Sequence, residues 1–490
     1  CEDEGEREGG AGGGGGQGSH PMGRTDARIA APLRKRSQEI ACRPLPPAAG
    51  PAPPRPNADE PAPGPPSVPK AASLLPPPSP ELLEEGVRRI AWARTHMQVL
   101  AAIRARFEDE QPFAGLRVGM ALHVEAKTAN LALALAAGGA DVRLAGCNPE
   151  STDDRVVLAL NEHHKLPTTA KKGQDRNEYY ASLDWVLDHK PHLVIDDGGD
   201  LGFLAHTKRK DALKALKGGA EETTTGVMRF KAMASEGKLK FPVLNVNDAQ
   251  MKHLFDNRYG TGQSTFDGLL HATNLLIAGK DVVVAGYGWC GKGIAMRAKG
   301  LGATVTVTEV DPVKAIEARL DGFHVAPMLE ACKTADFILT ATGCSDVVAA
   351  PHMAHLKDGC VLANAGHFNN EVSIPALKQA AKDVSTVRAG VTAYLQRDGR
   401  TLYLVADGRL VNLASGQGHP VEIMDMSFSI QALGMEHLAK HHASMVPGVH
   451  DMPKHIDAEV AKLKLATLGL RIDALTAAQK AYLSTWEHGT

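Results

Sequence analysis

The chain has 490 residues, 43% of them hydrophobic, and a formal net charge of −2. That length exceeds one ordinary core and predicts two or three domains. The balanced charge argues against a nucleic-acid or acidic-membrane partner, and no apolar run is long enough to span a bilayer. The seven cysteines (Cys1, Cys42, Cys147, Cys290, Cys332, Cys344, Cys360) are scattered without a CxxC pair, which reads as reduced thiols in a cytoplasmic protein.

In chain order, residues 1–80 stand apart: 2–18 are acidic and then almost all glycine, and 43–80 are dense in proline and alanine. Such a segment buries little and reads as a disordered leader. It begins with Cys1, with Met22 a candidate initiator, and is either a regulatory tail or dispensable. Folded sequence is expected from Pro80. Residues 81–107 have helical spacing, with Leu82, Val87, Ile90, Met97, Leu100 and Ile103 available to one face. Strands are predicted at 116–120, 141–145 and 193–195, the last running into Asp196-Asp197-Gly198-Gly199-Asp200, with a helix at 128–137. A second block has strands at Asp281–Ala285, Thr304–Thr308, Phe337–Thr340 and Val361–Asn364. The alternation predicts an α/β fold of two α/β domains with largely parallel sheets, divided near 256–264. Val460, Leu463, Leu465 and Leu468 give a C-terminal segment helical spacing.

Gly286-Tyr287-Gly288-Trp289-Cys290-Gly291 follows one of these strands and opens a helix-like stretch at 292–299. The next strand ends at Glu309, about twenty residues on, as the dinucleotide fingerprint requires. Gly286, Gly288 and Gly291 would let backbone approach a pyrophosphate at the helix N-terminus. Glu309 would accept from the ribose hydroxyls and repel a 2′-phosphate, which favours NAD over NADP. The bland alternative is a glycine turn needed only for strand–helix packing. An NAD site by itself suggests a dehydrogenase with an external acceptor.

Further motifs point elsewhere. Asp196-Asp197-Gly198-Gly199-Asp200, Glu221-Glu222-Thr223-Thr224-Thr225-Gly226, Asn245-Val246-Asn247-Asp248, Lys252 with Asp256-Asn257 and Tyr259-Gly260, Gly366-His367-Phe368, Gly408-Arg409-Leu410-Val411-Asn412-Leu413 and His419-Pro420 occur in that order. Jointly they resemble the adenosylhomocysteinase family over about residues 81–490. Thr261, Glu125 and Lys127 depart from many members, as does an ending at Thr490 without the family's Lys/Tyr-bearing tail. These departures resemble the shorter archaeal-type branch, some of whose members prefer the inosine analogue.

The resemblance implies NAD-dependent, reversible hydrolysis of S-adenosyl-L-homocysteine to adenosine and L-homocysteine through a 3′-keto intermediate, which acidifies C4′–H so that the thiol can leave. It implies that Lys252 and Asp256 remove the 3′-hydroxyl proton, burial helping Lys252 act as a base. Asp197 would take the C4′ proton, and His123 would protonate sulfur and activate water, with Asn247 orienting the network. Glu222 would accept from the ribose hydroxyls. Thr223, Thr224, Thr225 and Asn257 would meet the nicotinamide end of NAD and Asn412 its carboxamide. His367 and Phe368 would form an access gate beside the site, and His419 would meet the purine. The residues alone leave other readings open: an i,i+4 salt bridge for Lys252 and Asp256, an Asp-Gly turn for Asp197, a structural histidine for His123, strand filler for the threonines. The implied architecture is a substrate domain at 81–255 completed by 420–450, an inserted Rossmann domain at 262–418 and a C-terminal segment at 451–490, assembled as a homotetramer. Two rivals are an NAD-dependent dehydrogenase and an inactive binding homologue.

Overall fold

The computed structural model describes residues 74–77 and 79–486. The predicted leader lies outside the described residues up to residue 73, but its last part does not: Leu74 is 2% exposed, so the folded body begins before Pro80. Two sheets organise the folded body. Strands β1 (Arg117–Leu122), β2 (Asp141–Gly146), β3 (Thr168–Thr169), β4 (Leu193–Asp196), β5 (Gly218–Glu221) and β6 (Pro242–Asn245) belong to the first. Strands β7 (Asp281–Ala285), β8 (Thr304–Thr308), β9 (His324–Val325), β10 (Phe337–Thr340), β11 (Val361–Asn364), β12 (Ala381–Arg388), β13 (Val391–Gln396) and β14 (Thr401–Val405) form the second, and β15 (Gly448–Asp451) returns to the first.

The first sheet is ordered β15-β6-β5-β4-β1-β2-β3, and every pairing in it is parallel. Its central strands are buried from end to end, as in Leu193–Asp196, because helices cover both faces. The second sheet is parallel through β9-β8-β7-β10-β11-β14 and ends in an antiparallel ribbon of β14, β13 and β12. The expectation of largely parallel sheets holds, with that ribbon as the exception, and its edge strand β12 is exposed beyond Ala381.

The helix expected over 81–107 is two helices, Pro80–His96 and Gln98–Glu110. Ser79 caps the first by accepting from the Leu82 N–H. The second takes its cap from a distant element: the Asp425 carboxylate accepts from Leu100 N at 2.9 Å and Val99 N at 3.3 Å. A buried carboxylate aimed at free amides breaks the helix at Met97, and no local sequence signal marks it.

Between the sheets the chain runs helically through Gln250–Lys252, a π-turn at His253–Gly260 and Thr261–Thr273. The expected division near 256–264 thus falls inside continuous helix. The return is the 21-residue helix Val421–His441, whose Ile430, Met435 and Leu438 join the core of the first sheet.

Candidate active site

Parallel register lines up the first sheet's carboxyl ends. Leu122 pairs with Gly146, Ala121 with Asp196, Asp196 with Glu221, and Glu221 with Asn245. The residues just past those ends are His123, Cys147, Asp197, Glu222 and Asn247. Polar side chains thus accumulate along one edge, where open α/β sheets carry their ligands. The helical crossing adds Lys252, Asp256 and Asn257, the loop after β11 adds His367, and the short helix Val411–Ala414 after β14 and the segment behind it add Asn412 and His419. One cleft is lined by His123, Asp197, Glu222, Thr223, Lys252, Asp256, His367, Asn412 and His419 together with Glu125 and Lys127.

At one end His123 Nε2 lies 3.2 Å from Asp197 Oδ2. The other ring nitrogen, Nδ1, is 2.6 Å from Ser151 Oγ, which lies 3.0 Å from the Asn148 carbonyl oxygen. Two tautomers satisfy this geometry: Nδ1–H donating to Ser151 with the Nε2 lone pair free, or Nε2–H donating to Asp197 with Ser151 donating to Nδ1. Burial pushes the His123 imidazolium down to about 4 against the attraction of Asp197. The Cys147 thiol donates to Asp197 Oδ2 at 3.5 Å, and burial pushes that thiol well up. Asp197 Oδ1 is buried without a hydrogen-bond partner, with His367 Nδ1 at 3.8 Å.

At the other end Lys252 Nζ donates to Asn257 Oδ1 at 2.7 Å and lies 3.4 Å from Glu222 Oε1 and 3.5 Å from Asp256 Oδ2. Burial opposes charge on this ammonium, but Asp256 and Glu222 outweigh it and hold Lys252 above its ordinary value. The expectation that burial helps Lys252 act as a base is corrected here: the Asp256 carboxylate, with the Glu222 carboxyl beside it, favours the charged form. Burial likewise opposes charge on Asp256, and Lys252 and His419 overcome it, so Asp256 stays a carboxylate. Glu222 goes the other way, pushed up by burial to about 8.

His419, expected at the purine, lines the cleft, where Nδ1 meets Asp256 Oδ1, and Nε2 lies 3.3 Å from Thr261 Oγ1 and 3.2 Å from Asn412 Nδ2. Asn257 donates to Asn247 at 3.1 Å, which ties Asn247 to Lys252. Thr223 is no strand residue: it caps the helix Thr224–Ser235 and donates to Glu221 at 2.8 Å. Thr224 is exposed, Thr225 is half-buried, and neither lines the cleft.

The glycine loop adjoins this cleft, because Thr261 Oγ1 also lies 3.6 Å from Cys290 Sγ. Gly286 has φ +93°, and a Cβ on Gly291 would sit 1.9 Å from the Gly286 carbonyl oxygen, whereas a Cβ on Gly288 would meet nothing within 4 Å. Gly288 thus leaves open space over the N-terminus of helix Trp289–Gly300, and a dinucleotide pyrophosphate fits there. Glu309 accepts from Tyr287 N at 2.7 Å and Asp311 N at 3.0 Å. Those amides overcome burial and hold its carboxyl below the ordinary range. Asn412 Oδ1 is buried without a hydrogen-bond partner and suits a carboxamide donor. The residues present fit NAD.

Sequence reasoning missed Ser151, Cys147, Ser427 and Gln431. Ser427 donates to Asp256 Oδ2 at 2.7 Å, and Gln431 donates to Glu222. A signal for the last two exists: Asp425, Ser427, Ser429 and Gln431 alternate with Met426, Phe428 and Ile430 in the long return helix, and all four are fully buried. Polar residues on a buried face need partners.

Residues 257–418 match the family description S-adenosyl-L-homocysteine hydrolase, NAD binding domain, and residues 80–215 match S-adenosyl-L-homocysteine hydrolase. The chain is 55% identical over 409 residues to S-inosyl-L-homocysteine hydrolase of Methanocaldococcus jannaschii, covering 84% of this chain and 98% of that one. It is 55% identical over 406 residues to adenosylhomocysteinase of Thermoplasma acidophilum, covering 83% and 99%. For adenosylhomocysteinase of Aquifex aeolicus the identity is 53% over 409 residues, covering 84% and 98%. Among solved structures, dipicolinate synthase A chain from Bacillus subtilis gives a TM-score of 0.39 at 14% identity over 68% of this chain and 98% of that one, too slight a likeness to carry an argument. On the identity, the coverage and the matched residues, this chain belongs to the S-adenosyl-L-homocysteine hydrolase family.

Proposed function

We propose that the chain is an NAD-dependent hydrolase that splits S-adenosyl-L-homocysteine reversibly into adenosine and L-homocysteine. The observation that carries this is the gathering of His123, Asp197, Glu222, Lys252 and Asp256 in one cleft beside the glycine loop. In this reading 81–255 and 420–450 handle the substrate, 262–418 carry NAD, and copies of the chain assemble as a cytoplasmic homotetramer. Gly286, Gly288 and Gly291 would hold the pyrophosphate, Glu309 the adenine ribose, and Thr223, Thr224, Thr225, Asn257 and Asn412 the nicotinamide end. When bound, NAD supplies a reversible oxidation of the 3′-hydroxyl, which acidifies C4′–H.

The protein's own groups do the rest. Lys252, held as an ammonium, donates to the 3′-oxygen, while Asp256 with His419 takes the proton. Glu222, protonated near neutrality, fixes the neighbouring hydroxyl. Asp197 removes the C4′ proton and passes it to the Nε2 lone pair of His123, 3.2 Å away. His123 then delivers it to the departing sulfur and, in the second half, takes one from water. Asn247 steadies Lys252 through Asn257. His367 and Phe368 close the mouth over this end.

A second reading, S-inosyl-L-homocysteine hydrolysis, is favoured by Glu125 and Lys127 in the cleft wall and by the name of the Methanocaldococcus jannaschii relative. Side-by-side thiol release from the two thioethers decides between them, and a large inosine preference would overturn the first.

Asp197→Asn tests the mechanism. It should still oxidise the substrate, seen as a rise in reduced-nicotinamide absorbance, while thiol release falls about 10²–10⁴-fold. Loss of both signals would move Asp197 to binding or to the oxidation step.

A further inference from the structure

His123, Cys147 and Asp197 follow the ends of three adjacent parallel strands, β1, β2 and β4. Register does the gathering, since Leu122 pairs with Gly146 and Ala121 with Asp196. One nitrogen, one sulfur and one oxygen from these side chains lie within 4.8 Å of one another. His123 Nε2 and Cys147 Sγ sit 3.2 Å and 3.5 Å from the same oxygen, Asp197 Oδ2. A tetrahedral zinc with ordinary bond lengths separates its nitrogen, oxygen and sulfur ligands by about 3.3–3.6 Å.

The hydrogen bonding leaves room for a cation. With the proton on Nδ1 donated to Ser151, whose hydroxyl goes to the Asn148 carbonyl, the Nε2 lone pair is open to a cation placed between it and Asp197 Oδ2. An imidazole oriented through its other nitrogen is how metal-binding histidines are normally held. Asp197, 5% exposed, has a second oxygen, Oδ1, buried with no hydrogen-bond partner. The neighbours of Asp197 Oδ2 are thus two groups able to bind a cation, and among the described residues no lysine or arginine pairs with it.

We propose that His123, Cys147 and Asp197 form a binding site for a thiophilic divalent cation of the zinc class, and that occupancy arrests the enzyme reversibly. The thiol and imidazole select such an ion over magnesium or calcium, which take oxygen ligands. On binding, Cys147 gives its proton to solvent and becomes a thiolate. The ion replaces the thiol hydrogen between sulfur and carboxylate and takes the Nε2 lone pair. Water completes a fourth position. The carboxylate and lone pair so captured are those the proposed proton relay uses, so the inhibitory consequence rests on the function proposed above, whereas the site itself does not.

The test uses the full chain with NAD bound and no substrate. Equilibrium dialysis against zinc alone should show a tight equivalent per chain that Cys147→Ser removes and Cys344→Ser, at an exposed cysteine, retains. Zinc inhibition of thiol release should weaken at least about tenfold in Cys147→Ser. Should that variant not fold, cobalt(II) added to the wild type gives an independent reading: a thiolate-to-cobalt absorption with the strong visible bands of a four-coordinate site. Absence of that absorption, or unchanged zinc binding in a folded Cys147→Ser, overturns the site. Binding without inhibition overturns the arrest alone. A wrong substrate assignment leaves dialysis and spectrum untouched.

Discussion

Burial sets the charge of Glu222. Its carboxyl is 6% exposed, and removing it from water disfavours the anion more than Lys252 favours it, so its value rises from 4.5 to about 8. The sign of the consequence comes from proton counting. Between 4.5 and about 8 the unfolded chain has lost this proton and the folded chain keeps it. Folding therefore binds a proton, and this group's contribution to stability, complete below 4.5, is lost as pH rises through about 8. Glu222→Gln keeps the shape and the amide contact to Gln431 but cannot titrate. Its melting temperature, measured without substrate, should fall less than the wild type's as pH rises through that window. An equal or steeper fall in the variant would mean that Glu222 is already ionised in the folded chain. The same reasoning revises Lys252, where the sequence gives an isolated helix pair and the fold gives a cation between the Asp256 carboxylate and the Glu222 carboxyl. Only tertiary structure brings Glu222, 30 positions earlier in the chain, beside it.

Elements differ in how openly the sequence declares them. The strand–glycine–helix unit around Gly286 is legible because each glycine answers a local steric demand, and this separates two roles. Gly291→Ala places a methyl 1.9 Å from the Gly286 carbonyl oxygen. Backbone must move, so the melting temperature should drop even without cofactor, by an amount reflecting about 1–3 kcal/mol or more. Gly288→Ala meets nothing within 4 Å, so it should leave the cofactor-free melting temperature within error and weaken NAD binding. A large loss of cofactor-free stability in Gly288→Ala would show that Gly288 serves packing. Other elements were hidden for physical reasons. Strand β5 is Gly-Gly-Ala-Glu, a poor strand by propensity, yet a Cβ on Gly219 would lie 2.9 Å from Val194 Cγ2, so the neighbouring strand requires glycine there. The break at Met97 depends on Asp425, 325 positions beyond Leu100. Cleft residues at strand ends carried motifs; Ser427 and Gln431 carried none, because their importance lies in which carboxylates the long return helix faces.

At the scale of the whole molecule, relatives from M. jannaschii and T. acidophilum are matched over 98% and 99% of their lengths, but over only 84% and 83% of this chain. The family's fold is thus encoded without a counterpart of the first part of this chain, and its composition offers little to bury. Removing it should leave catalysis and melting temperature intact, but the cut position matters. Leu74 is 2% exposed and Leu75 packs on the core of the first sheet, while Ser79 supplies the cap of helix Pro80–His96. A chain starting at Ala71 keeps all three. One starting at Pro80 loses both leucines and the cap. Burying a leucine contributes about 1.5–3 kcal/mol and a serine cap about 1 kcal/mol. The Ala71 start should therefore match the full chain in thiol release and melting temperature, and the Pro80 start should melt several degrees lower while retaining activity at low temperature, since Leu74, Leu75 and Ser79 do not line the cleft. Two measurements on two truncations decide it. A Pro80 start as stable as the full chain would mean Leu74 and Ser79 hold nothing in place, and an Ala71 start that melts early would mean that residues before 71 pack on the body.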